Sequence, residues 1–121
     1  MKTPSKRLSF GLIAVLALIV PASAQETVAL KGEVFIAGKT PVDPPPNEPK
    51  NSHAYMTVTG PAALRLYRAM RGKEEKDACQ DGHRIKRAGN LSCSLAAGGK
   101  EAACDFSVDL IKGALDSGRA C

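Results

Sequence analysis

The sequence contains no tryptophan and few other aromatic residues, which argues against one broad class of function. Among 121 residues there are three phenylalanines and two tyrosines. Proteins that bind single-stranded nucleic acid combine a basic groove with aromatic side chains on which bases stack. With so few aromatic side chains, we expect no nucleic-acid partner for this chain.

The residues and motifs that usually carry catalysis are also scarce. The chain has only two histidines, His53 and His83, and they lie thirty residues apart. It has no G-x-S-x-G elbow, no H-E-x-x-H motif and no phosphate-binding glycine loop. Ser52 precedes His53 directly, but neighbouring side chains on a strand point apart, so no dyad is expected. We therefore expect no enzyme, no cofactor and no metal site.

The chain has one long apolar run, Leu8 to Val20, which is shorter than the ~20 residues that a membrane span needs. Three basic residues precede the run, and the small residues Ala22-Ser23-Ala24 follow it. This order is typical of a cleaved secretory signal. We predict a signal peptide over 1–24 and one small domain over 25–121, periplasmic or secreted and without membrane attachment after cleavage.

Removal of the signal leaves little net charge. The signal holds three basic residues and no acidic one, so the other 97 residues carry 14 basic and 12 acidic side chains. A net charge of +2 is far below that of a strongly basic nucleic-acid binder. An envelope or secreted protein is the expected kind of partner, and the oligomeric state is left open.

Cysteine is sparse, but its count and position are informative. The four cysteines all follow the predicted signal: Cys79, Cys93, Cys104 and Cys121. An even number without a C-x-x-C pair, in a short exported chain, indicates disulfides rather than a metal site. The 97 residues also hold only 21 large apolar side chains. A core of that size is marginal, so two bridges have a structural reason to be present.

Two segments with alternating apolar residues predict a β-hairpin near the C-terminus. They run from Leu91 to Leu95 and from Ala102 to Leu110, and Gly98-Gly99 lies between them. Two glycines suit a two-residue turn because both accept positive φ. The polar face of the second strand, which includes Asp105, Ser107 and Asp109, is expected to be solvated.

The hairpin register favours one disulfide pairing. A two-residue turn places Cys93 opposite Cys104 and aligns the apolar faces of both strands. It also places these cysteines at a hydrogen-bonded position, where Cα atoms lie about 5.5 Å apart. We favour Cys93–Cys104 together with Cys79–Cys121, and the other two pairings remain open.

One helix is predicted from residue 60 onward. Pro61 follows Gly60 at a position where the missing N–H costs nothing. A glycine, Gly72, stands where a C-terminal cap belongs. The apolar stripe recurs at helical spacing: Ala63, Leu66, Tyr67 and Met70.

The same helix presents a row of arginines, Arg65, Arg68 and Arg71. We expect the row on the exposed side, away from the apolar stripe. Guanidinium groups pair bidentately with carboxylates and phosphates, so the row is a candidate contact for an acidic partner. The alternative is a row that only solvates the helix.

The remaining elements complete an α+β fold. Residues 25–37 and 54–58 alternate as short strands, and residues 73–90 are charged and irregular, with a brief strand near Ile85. Residues 38–52 hold five of the eight prolines and predict an extended loop. We expect one helix packed on a small antiparallel sheet, in the order β–β–α–β–β, stapled by disulfides.

A set of motifs resembles those of small exported proteins of Gram-negative bacteria that are functionally uncharacterised. These motifs are G-P-A-A-L-R-L-Y at 60–67, L-S-C at 91–93 and C-D-F-S-V-D-L at 104–110. The resemblance implies a helix beside an antiparallel sheet and a periplasmic setting, and it carries over no active site.

Taken together, these features favour a non-enzymatic binding or inhibitor-type module. An envelope enzyme or enzyme accessory, with a site built from scattered polar residues, is the alternative. A structural envelope protein is a third hypothesis.

Overall fold

A seven-stranded antiparallel sheet carries one helix on one of its faces in the part of the chain that the structure describes. This computed structural model describes residues 2–4, 11 and 26–118. The predicted signal peptide and Cys121 therefore lie largely or wholly outside the described residues. The elements in chain order are β1 Lys31–Ala37, β2 His53–Thr59, α1 Gly60–Ala69, β3 Glu75–Lys76, β4 Arg84–Ala88, β5 Leu91–Leu95, β6 Ala102–Asp109 and β7 Ala114–Asp116.

The sheet is organised around β6. The strand order is β1-β2-β6-β5-β4-β3, and β7 pairs with β6 beyond the end of β5. One edge of β6 pairs with β2, while β5 and β7 occupy the other edge in succession. The α+β prediction is confirmed in its coarse form, but the sheet is larger than predicted because β3, most of β4 and β7 were not anticipated.

Strand alternation gives the sheet one apolar face, and α1 covers one end of it. The helix packs against β2, β5 and β6. Side chains of Val58, Cys93 and Cys104 meet the buried helix residues Ala63 and Tyr67 there. With so few large side chains in this core, the disulfide itself is one of its central members.

The helix begins where it was predicted to begin, but it ends earlier and its buried stripe differs by one residue. Leu66 is 37% exposed, whereas Leu64 packs against the core. The helix ends at Ala69, and the N–H of Met70 still donates to the carbonyl of Leu66 at 3.0 Å. Gly72 is not the cap that was predicted: a Cβ there would lie 2.6 Å from the carbonyl oxygen of Arg87, so glycine permits close approach to β4.

A lysine from β4 closes the C-terminal end of α1. The Nζ of Lys86 donates to the carbonyls of Tyr67 and Met70, each at 3.2 Å, and lies 4.7 Å from the centre of the Tyr67 ring. A positive charge at the C-terminal end of a helix also interacts favourably with the helix dipole. The Tyr67 hydroxyl donates to Glu74 at 2.7 Å. Burial, followed by this hydrogen bond, raises the pKa of Tyr67 to about 12.

The β5–β6 hairpin has the predicted register with a different turn. Cys93 lies opposite Cys104 and is bonded to it, which confirms the first of the two favoured bridges. The turn holds four residues, because the N–H of Ala96 donates to the carbonyl of Glu101 at 2.8 Å. Of the two glycines, only Gly99 has positive φ, so a two-residue turn that needs both in that region is excluded.

The longer turn changes the kind of strand pair at which the disulfide lies. Hydrogen-bonded and non-hydrogen-bonded pairs alternate along a hairpin. The hydrogen-bonded pair that closes the turn is one residue farther from the turn centre than predicted, so every other pair of the hairpin changes from one kind to the other. Cys93 and Cys104 thereby fall at a non-hydrogen-bonded position, and their Cα atoms are 4.0 Å apart. The expected hydrogen-bonded position was wrong. Cys79 is also disulfide-bonded, while its predicted partner Cys121 lies outside the described residues.

The proline-rich segment is an ordered closed loop between β1 and β2. Its two ends meet where Thr40 donates to Glu48 from its backbone N–H at 3.0 Å and from its hydroxyl at 2.8 Å. The Tyr55 hydroxyl donates to the carbonyls of Gly38 and Lys39 at 2.8 and 2.9 Å. The loop therefore packs onto the face of the sheet opposite α1. No helix among the described residues is long and apolar enough to cross a membrane.

Candidate functional site

The face of the sheet opposite α1 carries a row of polar side chains that crosses five strands. The pairing register places these residues directly opposite one another from β1 to β4: Glu33, Thr57, Asp105, Ser92 and Arg87. Neighbouring strands are about 4.8 Å apart, so the row is about 19 Å long. All five residues line one groove of about 710 Å³.

Within the row, one contact is short and strong. The Thr57 hydroxyl donates to Asp105 Oδ1 at 2.6 Å. At the β4 end, the Arg87 guanidinium lies 3.6 Å from the Glu75 carboxylate. The charge of Arg87, the single arginine of the row, is thus partly neutralised by Glu75, which does not belong to the row. Glu33 and Asp105 contribute negative charge to the groove.

Residues 117 and 118 form part of the groove wall by lying against β6. Ser107 donates its hydroxyl to the carbonyl of Ser117 at 2.6 Å and is fully buried. The prediction that Ser107 is exposed to solvent was therefore wrong. Alternation along the sequence does not show that another segment of the chain covers this part of the sheet face. A Cβ at Gly118 would lie 2.7 Å from backbone atoms of Asp105 and Phe106. Only glycine can pass this close to the strand.

The opposite side of the groove is bounded by the segment 77–80, which is held by an aspartate. Ser94 donates to Asp77 Oδ2 at 2.6 Å, and the Cys79 N–H donates to Oδ1 at 2.9 Å. Asp77 is buried. The hydrogen bond from Ser94 is the main cause of a lowered Asp77 pKa, and backbone N–H groups of Cys79 and Gln80 add to it.

The contact of Ser94 with Asp77 and His83 has the residue types of a catalytic triad but not its order. In a triad the histidine lies between the serine and the acid, and takes the serine proton. Here the serine lies between them: its hydroxyl donates to Asp77 and is 3.3 Å from His83 Nδ1. Because the pKa of Asp77 is lowered, its carboxylate is a weak base and is poorly suited to take a proton from Ser94. The contacts of Ser94 with Asp77 and His83 instead hold the segment 77–83 against β5.

The second histidine lies elsewhere on the same face, away from the groove lining. Ser52 and His53 do contact each other, with Oγ 2.9 Å from Nδ1, because Ser52 precedes the strand rather than lying in it. The prediction that these two side chains point apart was wrong. Both residues are buried. The Nε2 of His53 is 3.4 Å from Asp116 Oδ2 and makes no hydrogen bond within the described residues.

Ser52 is 7% exposed and His53 is 4% exposed. In the described part of the chain, no group of three histidine, cysteine, aspartate or glutamate side chains comes together in a way that could hold a metal ion.

The arginine row lies on the other side of the molecule from the groove. Arg65, Arg68 and Arg71 are all exposed, although Arg71 lies beyond the end of α1. Arg65 already has an acidic partner in its own chain, since its guanidinium is 2.8 Å from the Glu26 carboxylate and 3.0 Å from the Glu26 carbonyl. The structure does not bring this row together with the groove, and the row remains a predicted contact for an acidic partner.

Comparison with protein-family models, curated proteins and solved structures finds no match to this chain. Function is therefore inferred from the groove itself. Sequence reasoning noted only Asp105 among its five aligned residues. The alternating polar residues of β5 and β6 were visible as a signal, but their alignment with Glu33, Thr57 and Arg87 depends on long-range strand pairing.

Proposed function

We propose that this protein is a non-enzymatic binding module, periplasmic or secreted, that holds a basic segment of another exported protein in the groove opposite α1. The observation that carries the proposal is the aligned polar row across five strands. A disulfide in the core supports an oxidising compartment, which agrees with export.

The charge of the groove supports a cationic ligand. Among the described residues that line it, three carry carboxylates (Glu33, Asp77 and Asp105) and one carries a guanidinium (Arg87). Carboxylates form their strongest pairs with arginine, because both oxygens accept from the planar fork. A row about 19 Å long matches about six residues of an extended chain.

The rigidity of the floor supports binding of inhibitor type. Ser92 and Asp105 are the immediate neighbours of the bonded pair Cys93 and Cys104. A covalent link beneath the groove holds the two strands in one arrangement before the ligand arrives. Preorganisation of this kind reduces the ordering cost of binding.

The proposal is tested by titrating isotope-labelled protein with short synthetic peptides and following backbone amide shifts. An arginine-rich peptide of about six residues should shift the amides of Thr57, Ser92 and Asp105, and a glutamate-rich peptide should not. Asp105→Asn should weaken binding about tenfold or more, because a hydrogen bond to a charged group contributes about 1.5–3 kcal/mol. Asp43→Asn, which removes the same charge from an exposed loop residue, is the matched control.

Shifts confined to the arginine row, or equal binding of both peptides, would contradict the proposal. The natural partner can then be sought by affinity capture from the envelope fraction, using wild-type protein and the Asp105→Asn variant as paired baits. A partner retained only by the wild type is expected. A partner retained equally by both would bind through another surface.

A further inference from the structure

The two outer edges of the sheet differ in how well they are protected. At one edge, β3 has only two residues, Glu75 and Lys76, and both are charged. Short, charged edge strands resist pairing with other chains. At the other edge, β1 has seven residues, and no strand pairs with its outer side within the described residues.

The unprotected edge is also apolar. Val34 is 61% exposed, and Phe35 and Ile36 are each 50% exposed. Leu30, just before the strand, is 75% exposed. A long edge strand with exposed apolar side chains is a template for adding another strand. The occupant must be an extended segment that offers apolar side chains in register.

The sequence of this edge is complementary to itself. Around Gly32, the chain reads V-A-L-K on one side and E-V-F-I on the other. If two copies pair antiparallel about a two-fold axis at Gly32, Lys31 of each copy lies opposite Glu33 of the other. Leu30 then lies opposite Val34, and apolar residues continue outward on the same face.

Other symmetric registers are less favourable. Centring the axis on Lys31 or on Glu33 places like charges directly opposite each other, which is destabilising. Centring it on Val34 places Glu33 opposite Phe35. The register centred on Gly32 is the one that forms two charge pairs. Within the described residues, neither Lys31 nor Glu33 has an ion-pair partner in its own chain.

We infer that this protein forms a two-fold symmetric dimer by antiparallel pairing of residues 28–36, which joins the two sheets into one. An axis perpendicular to the sheet keeps both helices on one face and both grooves on the other. The inference does not rest on the proposed ligand, because the pairing needs no occupied groove. Glu33 belongs to both sites, so in the dimer the partner's Lys31 pairs with a carboxylate that also lines the groove. An isologous contact of this kind closes on itself and leaves no further β1 edge exposed.

Sedimentation velocity over a series of concentrations tests the dimer, using the natively processed chain without ligand. The wild type should show a concentration-dependent monomer–dimer equilibrium. Glu33→Lys replaces two attractive pairs by two repulsive ones, and should weaken the dimer about tenfold or more, since each such pair contributes about 0.2–1 kcal/mol. The double variant Lys31→Glu/Glu33→Lys exchanges the charges and should restore the wild-type dissociation constant.

Glu101→Lys is the matched control, because it makes the same charge change at an exposed residue outside the strands. Far-UV circular dichroism verifies that each variant is folded. A wild type that stays monomeric throughout overturns the inference. So does a dimer that Glu33→Lys leaves unchanged, that Glu101→Lys weakens equally, or that the charge exchange fails to restore.

Discussion

Removal of the Cys93–Cys104 bridge tests how this small core is stabilised. The variant Cys93→Ala/Cys104→Ala leaves Cys79 in place and deletes the two sulfurs. Both cysteines have no exposed surface, and they pack with Val58, Ala63 and Tyr67. The variant therefore changes the covalent link and a small volume in the centre of the core.

The expected magnitude follows from the loop that the bridge closes. The two cysteines are separated by 11 residues. Restricting an unfolded chain by a loop of this length stabilises the fold by about 3 kcal/mol in the chain-entropy treatment. A domain of this size has a total unfolding free energy on the order of 5–15 kcal/mol. The variant should therefore lose a large share of its stability and still fold at low temperature.

Urea unfolding followed by far-UV circular dichroism provides the measurement, with the free energy extrapolated to water. A second variant, Cys93→Val/Cys104→Ala, separates the link from the packing because valine refills part of the lost volume. If the link dominates, both variants should lose about 3 kcal/mol. A loss below about 1 kcal/mol, or recovery of most stability by the valine, would refute this reasoning.

Three further predictions concern single side chains. Lys86→Met should destabilise the fold by about 1–2 kcal/mol, because the carbonyls at the end of α1 lose their charged donor and the ring beneath loses its cation; Lys100→Met, in the exposed turn, is the control in urea unfolding. Gly118→Ala should cost more than about 1 kcal/mol because its Cβ would meet the backbone of β6, whereas Gly98→Ala points into open space and should change the unfolding free energy by less than about 0.5 kcal/mol. The pKa of Tyr67 is raised from 10.0 to about 12, so its contribution to stability is complete below pH 10 and is lost as the pH rises through 12. Tyr67→Phe should therefore flatten the alkaline fall of the urea midpoint, and an unchanged alkaline slope would contradict the assignment.

The elements predicted correctly from the sequence depend on local spacing. The helix begins at Gly60 because apolar residues recur there every three or four positions after a proline. The register of β5 and β6 follows from matching two alternating segments across a short turn, and with it the Cys93–Cys104 pairing. Each of these inferences needs only residues that are close in the chain.

Local spacing was less informative where a few residues decide the outcome. The turn between β5 and β6 contains two glycines, but its conformation depends on which of them takes positive φ, and only Gly99 does. The strand β7 has three residues, too few for alternation to indicate it. Leu64 and Leu66 both lie near the apolar stripe of α1. The surface of the sheet against which the helix packs decides which of the two contacts the core.

The groove and the open edge are products of tertiary structure. Thr57 and Asp105 are 48 residues apart in the chain and meet only because β6 inserts between β2 and β5. Nothing in either segment determines which strand lies beside it, because several strand orders would bury the apolar face of each strand equally well. The sequence alone determined which side of β2, β5 and β6 is polar. The order of the strands decided that those polar sides form one row and that β1 lies at the edge.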